Sequence, residues 1–63
     1  MKPCNAAEYY RATRVPHAEV RRMSGARYYS ETVTLCGREI GRKEQSITRG
    51  KVVSESYYVK GGE

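Results

Sequence analysis

The shortage of large apolar side chains constrains this chain more than any other feature of its sequence. Its 63 residues include one leucine, two isoleucines, six valines and two methionines, but neither phenylalanine nor tryptophan. Tyrosine must therefore supply the bulky part of the core. All six tyrosines stand in adjacent pairs, which are Tyr9-Tyr10, Tyr28-Tyr29 and Tyr57-Tyr58. Adjacent side chains of a strand point to opposite faces, so in each pair that lies in a strand one ring packs inward and the other faces solvent.

The outward rings have two interpretations. They either extend a poor core or a dimer interface, or they stack on nucleic-acid bases. A domain this small buries only about 60% of the surface that its unfolded chain exposes, so a second copy is expected to complete it. We therefore predict a single domain over residues 1–63 and a homodimer. Its helical part covers about residues 5–25, its β part about residues 28–60, and its tail at residues 61–63 should fray.

The formal net charge of +5 is concentrated in the N-terminal part of the chain. Residues 1–27 carry six basic and two acidic side chains (net +4), whereas residues 28–63 carry six basic and five acidic ones (net +1). Arginine dominates the N-terminal set, and its planar fork of donors suits phosphate and guanine. This distribution favours a nucleic-acid partner. The alternative is a solvated surface that keeps a small protein in solution.

The residues give little support to catalytic, metal or membrane functions. The chain has one histidine, His17, and no aspartate, and no nucleophile stands at a catalytic spacing from it. The two cysteines, Cys4 and Cys36, lack the paired spacing of structural zinc sites. No apolar run is long enough for a signal peptide or a membrane span. We expect no enzyme activity, cofactor, metal site or membrane partner, and a cytoplasmic location with reduced thiols.

Two short helices are predicted near the N terminus. Asn5, with a glutamate three residues later, is typical of a capping box that starts a helix at residue 6. Pro16 ends this helix, because proline disfavours helical geometry in the residue before it. Pro16 also suits the first position of a second helix, which runs to Met23 with Gly25 as its C-terminal cap. Val20 and Met23 would share a buried face, and the two arginines between them would point away.

Strand-like alternation begins after this helical region. Residues 29–35 alternate apolar and hydroxyl side chains and include several β-branched residues, which predicts a strand. Residues 36–38 offer a turn. Residues 39–41 form a short return strand that Gly41 weakens.

The C-terminal third contains a second predicted hairpin. Residues 42–45 have no apolar member and are interpreted as a loop. Residues 46–48 and 51–59 are strands that flank Arg49-Gly50, a turn in which glycine supplies positive φ. The predicted fold class is therefore α+β, with two short N-terminal helices followed by a small antiparallel sheet of three to four strands.

The segment from Ala6 to Ser24 resembles the helix-turn-helix of excisionases and MerR-type regulators. The resemblance rests on Thr13-Arg14-Val15 as the turn and on Glu19-Val20-Arg21 in the second helix. It implies a winged-helix-like architecture in which residues 28–41 form the wing. It also implies a DNA-binding regulator or recombination accessory. We expect the phage or mobile-element type because small, basic, single-domain chains without catalytic groups are common among such proteins.

The same resemblance implies which residues contact DNA. Pro16, His17, Glu19, Arg21 and Arg22 would face the major groove, and three later basic side chains would contact phosphates. The remaining arginines of the N-terminal third add to this set because of their charge. The candidate nucleic-acid-binding residues are Arg11, Arg14, His17, Glu19, Arg21, Arg22, Arg27, Arg38, Arg42 and Lys43.

Two alternatives come from the β part. The short strands after an N-terminal helix also look like a small Sm-like or SH3-like barrel, which would bind RNA through Tyr28, Ser56 and Tyr58. The strand from Lys51 to Val59 is alternatively an edge that pairs with another chain. That chain is either a second copy or a host protein that this small protein inhibits or adapts.

Overall fold

The protein forms one five-stranded antiparallel sheet with a single helix on one of its faces. The computed structural model describes residues 1–60. Strand order is β1-β5-β4-β3-β2, so consecutive strands from β2 to β5 are neighbours and β1 returns beside β5. The fraying expected for residues 61–63 lies outside the described residues. The elements are β1 (Lys2–Cys4), α1 (Ala6–Thr13), β2 (Glu19–Ser24), β3 (Tyr28–Leu35), β4 (Arg38–Thr48) and β5 (Lys51–Val59).

The first predicted helix is confirmed and the second is wrong. The Asn5 side chain accepts a hydrogen bond of 2.8 Å from the backbone N–H of Glu8. The helix α1 begins at Ala6, as the capping pattern predicted. Residues 19–24 form β2 instead of a helix. His17, with φ of 68°, lies in the turn that leads into this strand.

Tertiary pairing explains why β2 forms. All six of its residues pair in register with β3, so backbone N–H and C=O groups of β2 form hydrogen bonds to that strand. A short helix would have to form its hydrogen bonds within the segment, and isolated short helices are only marginally stable. The apolar face predicted for the helix had only Val20 and Met23, which is too little to hold a helix on the sheet. The fold prediction of two helices and three to four strands is therefore wrong, and so is the recognition helix that the resemblance implied.

The loop predicted for residues 42–45 is also wrong. These residues lie in the middle of β4, which runs unbroken for 11 residues between β3 and β5. Polar side chains are tolerated in this central strand because both of its faces offer polar partners or water. The turn predicted at Arg49-Gly50 is confirmed, and both residues have positive φ, of 54° and 76°.

The alternative of a closed barrel is wrong as well. The sheet is open, with β1 at one edge and β2 at the other, and the described residues include no pairing between these two strands. Within the described residues, the single helix packs on one face of this open sheet and leaves the other face uncovered. Antiparallel sheets tolerate this arrangement when the outer face is polar.

The small core lies where α1 packs against β4 and β5. Tyr9 is completely buried and Val33 is 2% exposed, so tyrosine does supply the bulk of the core. Thr13 packs against Gly41, where a side-chain Cβ would overlap the threonine methyl group. The glycine that seemed to weaken a strand is therefore the point at which the helix approaches the sheet most closely.

The two faces of the sheet differ in character. We call the side under α1 the helix face; it carries Tyr29, Glu31, Lys43 and Tyr57, which all contact α1 or one another. The opposite side, which we call the bare face, is rich in hydroxyl groups. It carries Glu19, Arg21, Met23, Tyr28, Ser30, Thr32, Thr34, Arg42, Glu44, Ser46, Ser54, Ser56 and Tyr58, as alternation along the paired strands requires.

Candidate nucleic-acid interface

One end of the sheet extends beyond the helix and is formed by the β4–β5 hairpin and the β2–β3 turn. We call it the hairpin end and define it as Arg27, Tyr28 and residues 46–54. The backbone N–H of Ile47 donates a hydrogen bond of 2.8 Å to the carbonyl of Arg27, which fixes the turn against the hairpin. Arg49 lies at the hairpin tip, and Lys51 begins β5. Three cationic side chains therefore belong to this end.

No acidic side chain belongs to the hairpin end, since residues 46–54 and residues 27–28 contain neither aspartate nor glutamate. Within the described residues, the two ion pairs are Arg22 with Glu31 and Arg42 with Glu39. The three cations of the hairpin end are all exposed and take part in neither pair. Their positive charge is therefore available to an anionic partner.

The bare face has a shallow depression of about 270 Å³ that reaches the hairpin end at Tyr28, Ser46 and Ser54. Tyr28 forms one wall and is 47% exposed, and Ser46 and Ser54 lie directly across the strands from it. Glu44 also lines the depression, and none of the three cations does. A half-exposed tyrosine ring beside hydroxyl groups offers a stacking surface together with hydrogen-bond donors.

The hairpin end also exposes apolar surface. Val52 is 49% exposed and Val53 is 61% exposed. The register of β4 with β5 shifts at this point, so Val53 is an extra residue without a partner in β4. Such a bulge twists the edge of a sheet and discourages another strand from pairing there.

The structure separates the predicted site residues of β2 instead of presenting them together. As neighbours in a strand, Arg21 faces the bare side and Arg22 faces the helix side. Arg22 lies 3.8 Å from a carboxylate oxygen of Glu31. Glu19 is on the bare face with Arg21, whereas Arg27 belongs to the hairpin end.

Two of the predicted phosphate contacts are engaged within the protein. Arg42 on the bare face donates hydrogen bonds of 3.0 and 3.2 Å to the carboxylate of Glu39. The Nζ of Lys43 lies 5.8 to 6.0 Å from the centres of three tyrosine rings, those of Tyr29 and Tyr57 on the helix face and that of Tyr10 on α1. It donates to the Tyr10 hydroxyl at 3.3 Å. Burial acts to lower the pKa of Lys43, but the Tyr10 hydrogen bond and the charge of Glu31 outweigh it and raise that pKa.

The other predicted residues lie around α1 and the end of the sheet opposite the hairpin end. Arg11 is exposed on α1, and the guanidinium carbon of Arg14 lies 4.9 Å from the centre of the Tyr10 ring. His17 is exposed in the turn before β2, and Arg38 begins β4 beside the β3–β4 turn. The ten predicted residues therefore do not form one patch.

Sequence reasoning missed Arg49 and Lys51 as site residues. A signal was present, because these basic residues flank a glycine in a predicted hairpin turn with no acid nearby. Their link to Arg27 was not visible in the sequence, since the hydrogen bond that joins the two turns spans 20 residues.

The described residues hold no group of three or more histidine, cysteine, aspartate or glutamate side chains placed to bind a metal ion. The one helix in that part of the chain is too short and too polar to cross a membrane. No family model, curated protein or solved structure matches this chain.

Proposed function

We propose that this protein binds nucleic acid, with DNA as the favoured ligand, and that its hairpin end contacts the phosphates. The observation that carries the proposal is the cluster of Arg27, Arg49 and Lys51 at an end of the molecule with no acidic side chain. Backbone phosphates supply most of the affinity in such complexes, and arginine and lysine are the usual contacts.

The surroundings of the cluster support the same function. Tyr28, which follows Arg27 in the sequence, presents about half of its surface to solvent, and bases stack on exposed tyrosines in single-strand binders. The protruding β4–β5 hairpin has the form of the β-ribbons that enter a groove of duplex DNA. The size and charge of the chain support the narrower role of a regulator or recombination accessory of phage or mobile-element type.

Fluorescence anisotropy with a labelled duplex across a salt series tests the proposal. We expect binding that weakens steeply with salt, because each phosphate contact contributes about 0.9 to the slope of log affinity against log salt. A variant with Arg27, Arg49 and Lys51 all changed to Gln should lose most of the affinity and lower the slope by about 2 to 3. Single-stranded DNA and RNA of matched length complete the ligand series.

The matched control changes Arg11, Arg38 and Lys60 to Gln, which removes the same types and number of charges from outside the hairpin end. We expect it to retain most of the affinity. Equal losses in the two variants would show that net charge, and not the hairpin end, carries the binding. A wild-type protein that binds none of the nucleic acids at low salt would refute the function itself.

A second candidate function is that of a small inhibitor or adaptor that pairs with a strand of a host protein. The structure supports it in part, because β1 covers only Tyr57–Val59 of β5 and leaves Lys51–Ser56 exposed and without a neighbouring strand on that side. The bulge at Val53 works against such pairing. Glu55→Pro removes a backbone donor from this edge, so it should abolish partner binding if the candidate is correct and leave DNA binding intact if it is not.

A further inference from the structure

The outer edge of β2 is the most regular unpaired strand edge in the described residues. β2 pairs with β3 through all six of its residues without a register shift, and all six are exposed. Its other side has no neighbouring strand in the sheet. Unlike the open part of β5, this edge contains no bulge that would discourage pairing.

The hydrogen-bond pattern shows which backbone groups this edge offers. The N–H of Gly25 donates to the carbonyl of Tyr28, which closes the turn between the two strands. In an antiparallel pair the bonded residues alternate, so the groups of residues 19, 21 and 23 point toward β3. The N–H and C=O groups of Val20, Arg22 and Ser24 therefore point outward.

We propose that β2 of a second copy of this chain pairs antiparallel with this edge around a twofold axis at Val20. In this register each Val20 faces the partner subunit's Val20 and exchanges both backbone hydrogen bonds with it. Glu19 faces the partner subunit's Arg21, and the symmetry repeats this pair. Both side chains lie on the bare face, and neither has an ion-pair partner within the described residues.

Symmetry restricts the possible registers. The twofold axis is perpendicular to the sheet, and it therefore keeps both helices on one side. It passes between two copies of the same residue, so residues that face each other across the interface are equally distant in sequence from that central residue. Centres at Glu19, Arg21 or Arg22 place a charge against its own copy, which is unfavourable between directly opposite residues. Centres at Met23 or Ser24 bring no opposite charges together. Among the residues of β2, only the centre at Val20 sets an acidic side chain against a basic one.

The proposed pairing also covers exposed apolar surface. Val20 is 43% exposed in the monomer, and contact with its symmetry mate would remove much of this surface from water. The product is a continuous ten-stranded sheet with both helices on the same side and the two hairpin ends pointing in opposite directions. The proposal is independent of nucleic-acid binding, because it uses none of the hairpin-end cations.

Charge reversal measured by sedimentation equilibrium tests this register. Glu19→Arg and Arg21→Glu each place like charges opposite one another twice per dimer, so each should weaken dimerisation about tenfold or more. The double variant Glu19→Arg with Arg21→Glu restores opposite charges and should return the dissociation constant to within about threefold of wild type. Recovery by the double variant shows that the combination of the two charges, and not either side chain alone, determines the association.

Disulfide trapping gives an independent test of the same register. In the proposed register, residue 19 of one subunit faces residue 21 of the other in a pair without backbone hydrogen bonds. Their Cα atoms are about 4.5 Å apart, which is within disulfide range. The experiment uses a background with Cys4→Ser and Cys36→Ser, so that only introduced cysteines can react. We expect a covalent heterodimer when Glu19→Cys protein is mixed with Arg21→Cys protein, and little covalent homodimer from either variant alone. Efficient homodimer formation by one variant would refute the register, and a wild-type protein that stays monomeric at millimolar concentration would refute the pairing.

Discussion

The region under α1 and the hairpin end are built from the same sheet but are stabilised in opposite ways. Under the helix, Tyr9 is completely buried, its ring lies 5.3 Å from that of Tyr57, and its hydroxyl donates to Glu31 at 2.7 Å. At the hairpin end, Val52 and Val53 remain about half exposed and the cations have no ion-pair partners among the described residues. A small protein can thus concentrate its stability in one region and leave the other free for contact with a partner.

The network under the helix explains how a core with so few apolar residues holds together. The two oxygens of Glu31 accept hydrogen bonds from the hydroxyls of Tyr9 and Tyr29, at 2.7 and 2.8 Å. Burial and the hydrogen bond to Glu31 raise the pKa of Tyr9 far above its ordinary value, so it remains a donor. The tyrosines therefore supply both apolar area and satisfied polar contacts, which phenylalanine would not do.

Among the substitutions that test the difference between the two regions, Tyr9→Ala should cause the largest loss of unfolding free energy. Removal of a fully buried aromatic ring should cost about 3–5 kcal/mol, which is comparable to the whole stability of a domain this small. Urea unfolding followed by circular dichroism measures the loss. A loss below about 1 kcal/mol would show that α1 does not form the core with the sheet.

Gly41→Ala should have the next largest effect. Its new methyl group would overlap Cγ2 of Thr13, so the helix must move away from the sheet at a cost of about 1–3 kcal/mol. Thr13→Ser removes the opposing methyl group while keeping the hydroxyl that donates to the Tyr9 carbonyl at 2.8 Å. The double variant should therefore recover part of the lost stability. If both substitutions act independently, the close approach of helix and strand at Gly41 is incorrect.

Glu31→Gln should cost about 1 kcal/mol at neutral pH and change how stability depends on acid. Burial acts to raise the pKa of Glu31, but hydrogen bonds from Tyr9 and Tyr29, with the charges of Lys43 and Arg22, lower it below its ordinary value. A lowered folded-state pKa contributes stability above the unfolded pKa of about 4.3 and loses it as pH falls through the folded value.

Unfolding titrations between neutral pH and the acid range measure this effect. The variant should lose stability less steeply than wild type below about pH 4.3, where the wild-type contribution disappears. Glu44→Gln on the bare face is the matched control. If the free energy of unfolding falls equally steeply with decreasing pH for wild type and Glu31→Gln, ionised Glu31 does not stabilise the fold.

Val53→Ser at the hairpin end should have the smallest effect. The side chain is 61% exposed and occupies a bulge, so its replacement should change the unfolding free energy by no more than about 0.5 kcal/mol. The same unfolding measurement applies. A loss comparable to that of Gly41→Ala would mean that the hairpin end is covered in solution and that the contrast between the two regions does not hold.

Local signals predicted some elements correctly because their causes are local. The Asn5 cap lies within one turn of the helix that it starts, and Arg49-Gly50 needs only positive φ to reverse the chain. The use of tyrosine as a core residue followed from the lack of any larger apolar side chain. Of the three cations at the hairpin end, only Arg27 was predicted as a site residue, and Arg49 and Lys51 were not.

The errors fall where distant partners decide the structure. Residues 19–24 have a sequence that suits a short helix as well as a strand, and pairing with β3 selects the strand. Residues 42–45 lack apolar side chains but have a paired strand on each side. Backbone hydrogen bonds to neighbours supplied by other parts of the chain outweigh weak local preferences.

The sequence by itself determined that the chain is small and basic, that its core uses tyrosine, and that a capped helix and a glycine hairpin turn form at given positions. These properties depend on composition or on residues a few positions apart. Only the tertiary structure decided that β2 replaces a helix, that Gly41 receives α1, and that three cations from two turns share one end of the sheet. Each of these depends on contacts between residues distant in the sequence, whose energies exceed the local preferences that a sequence displays.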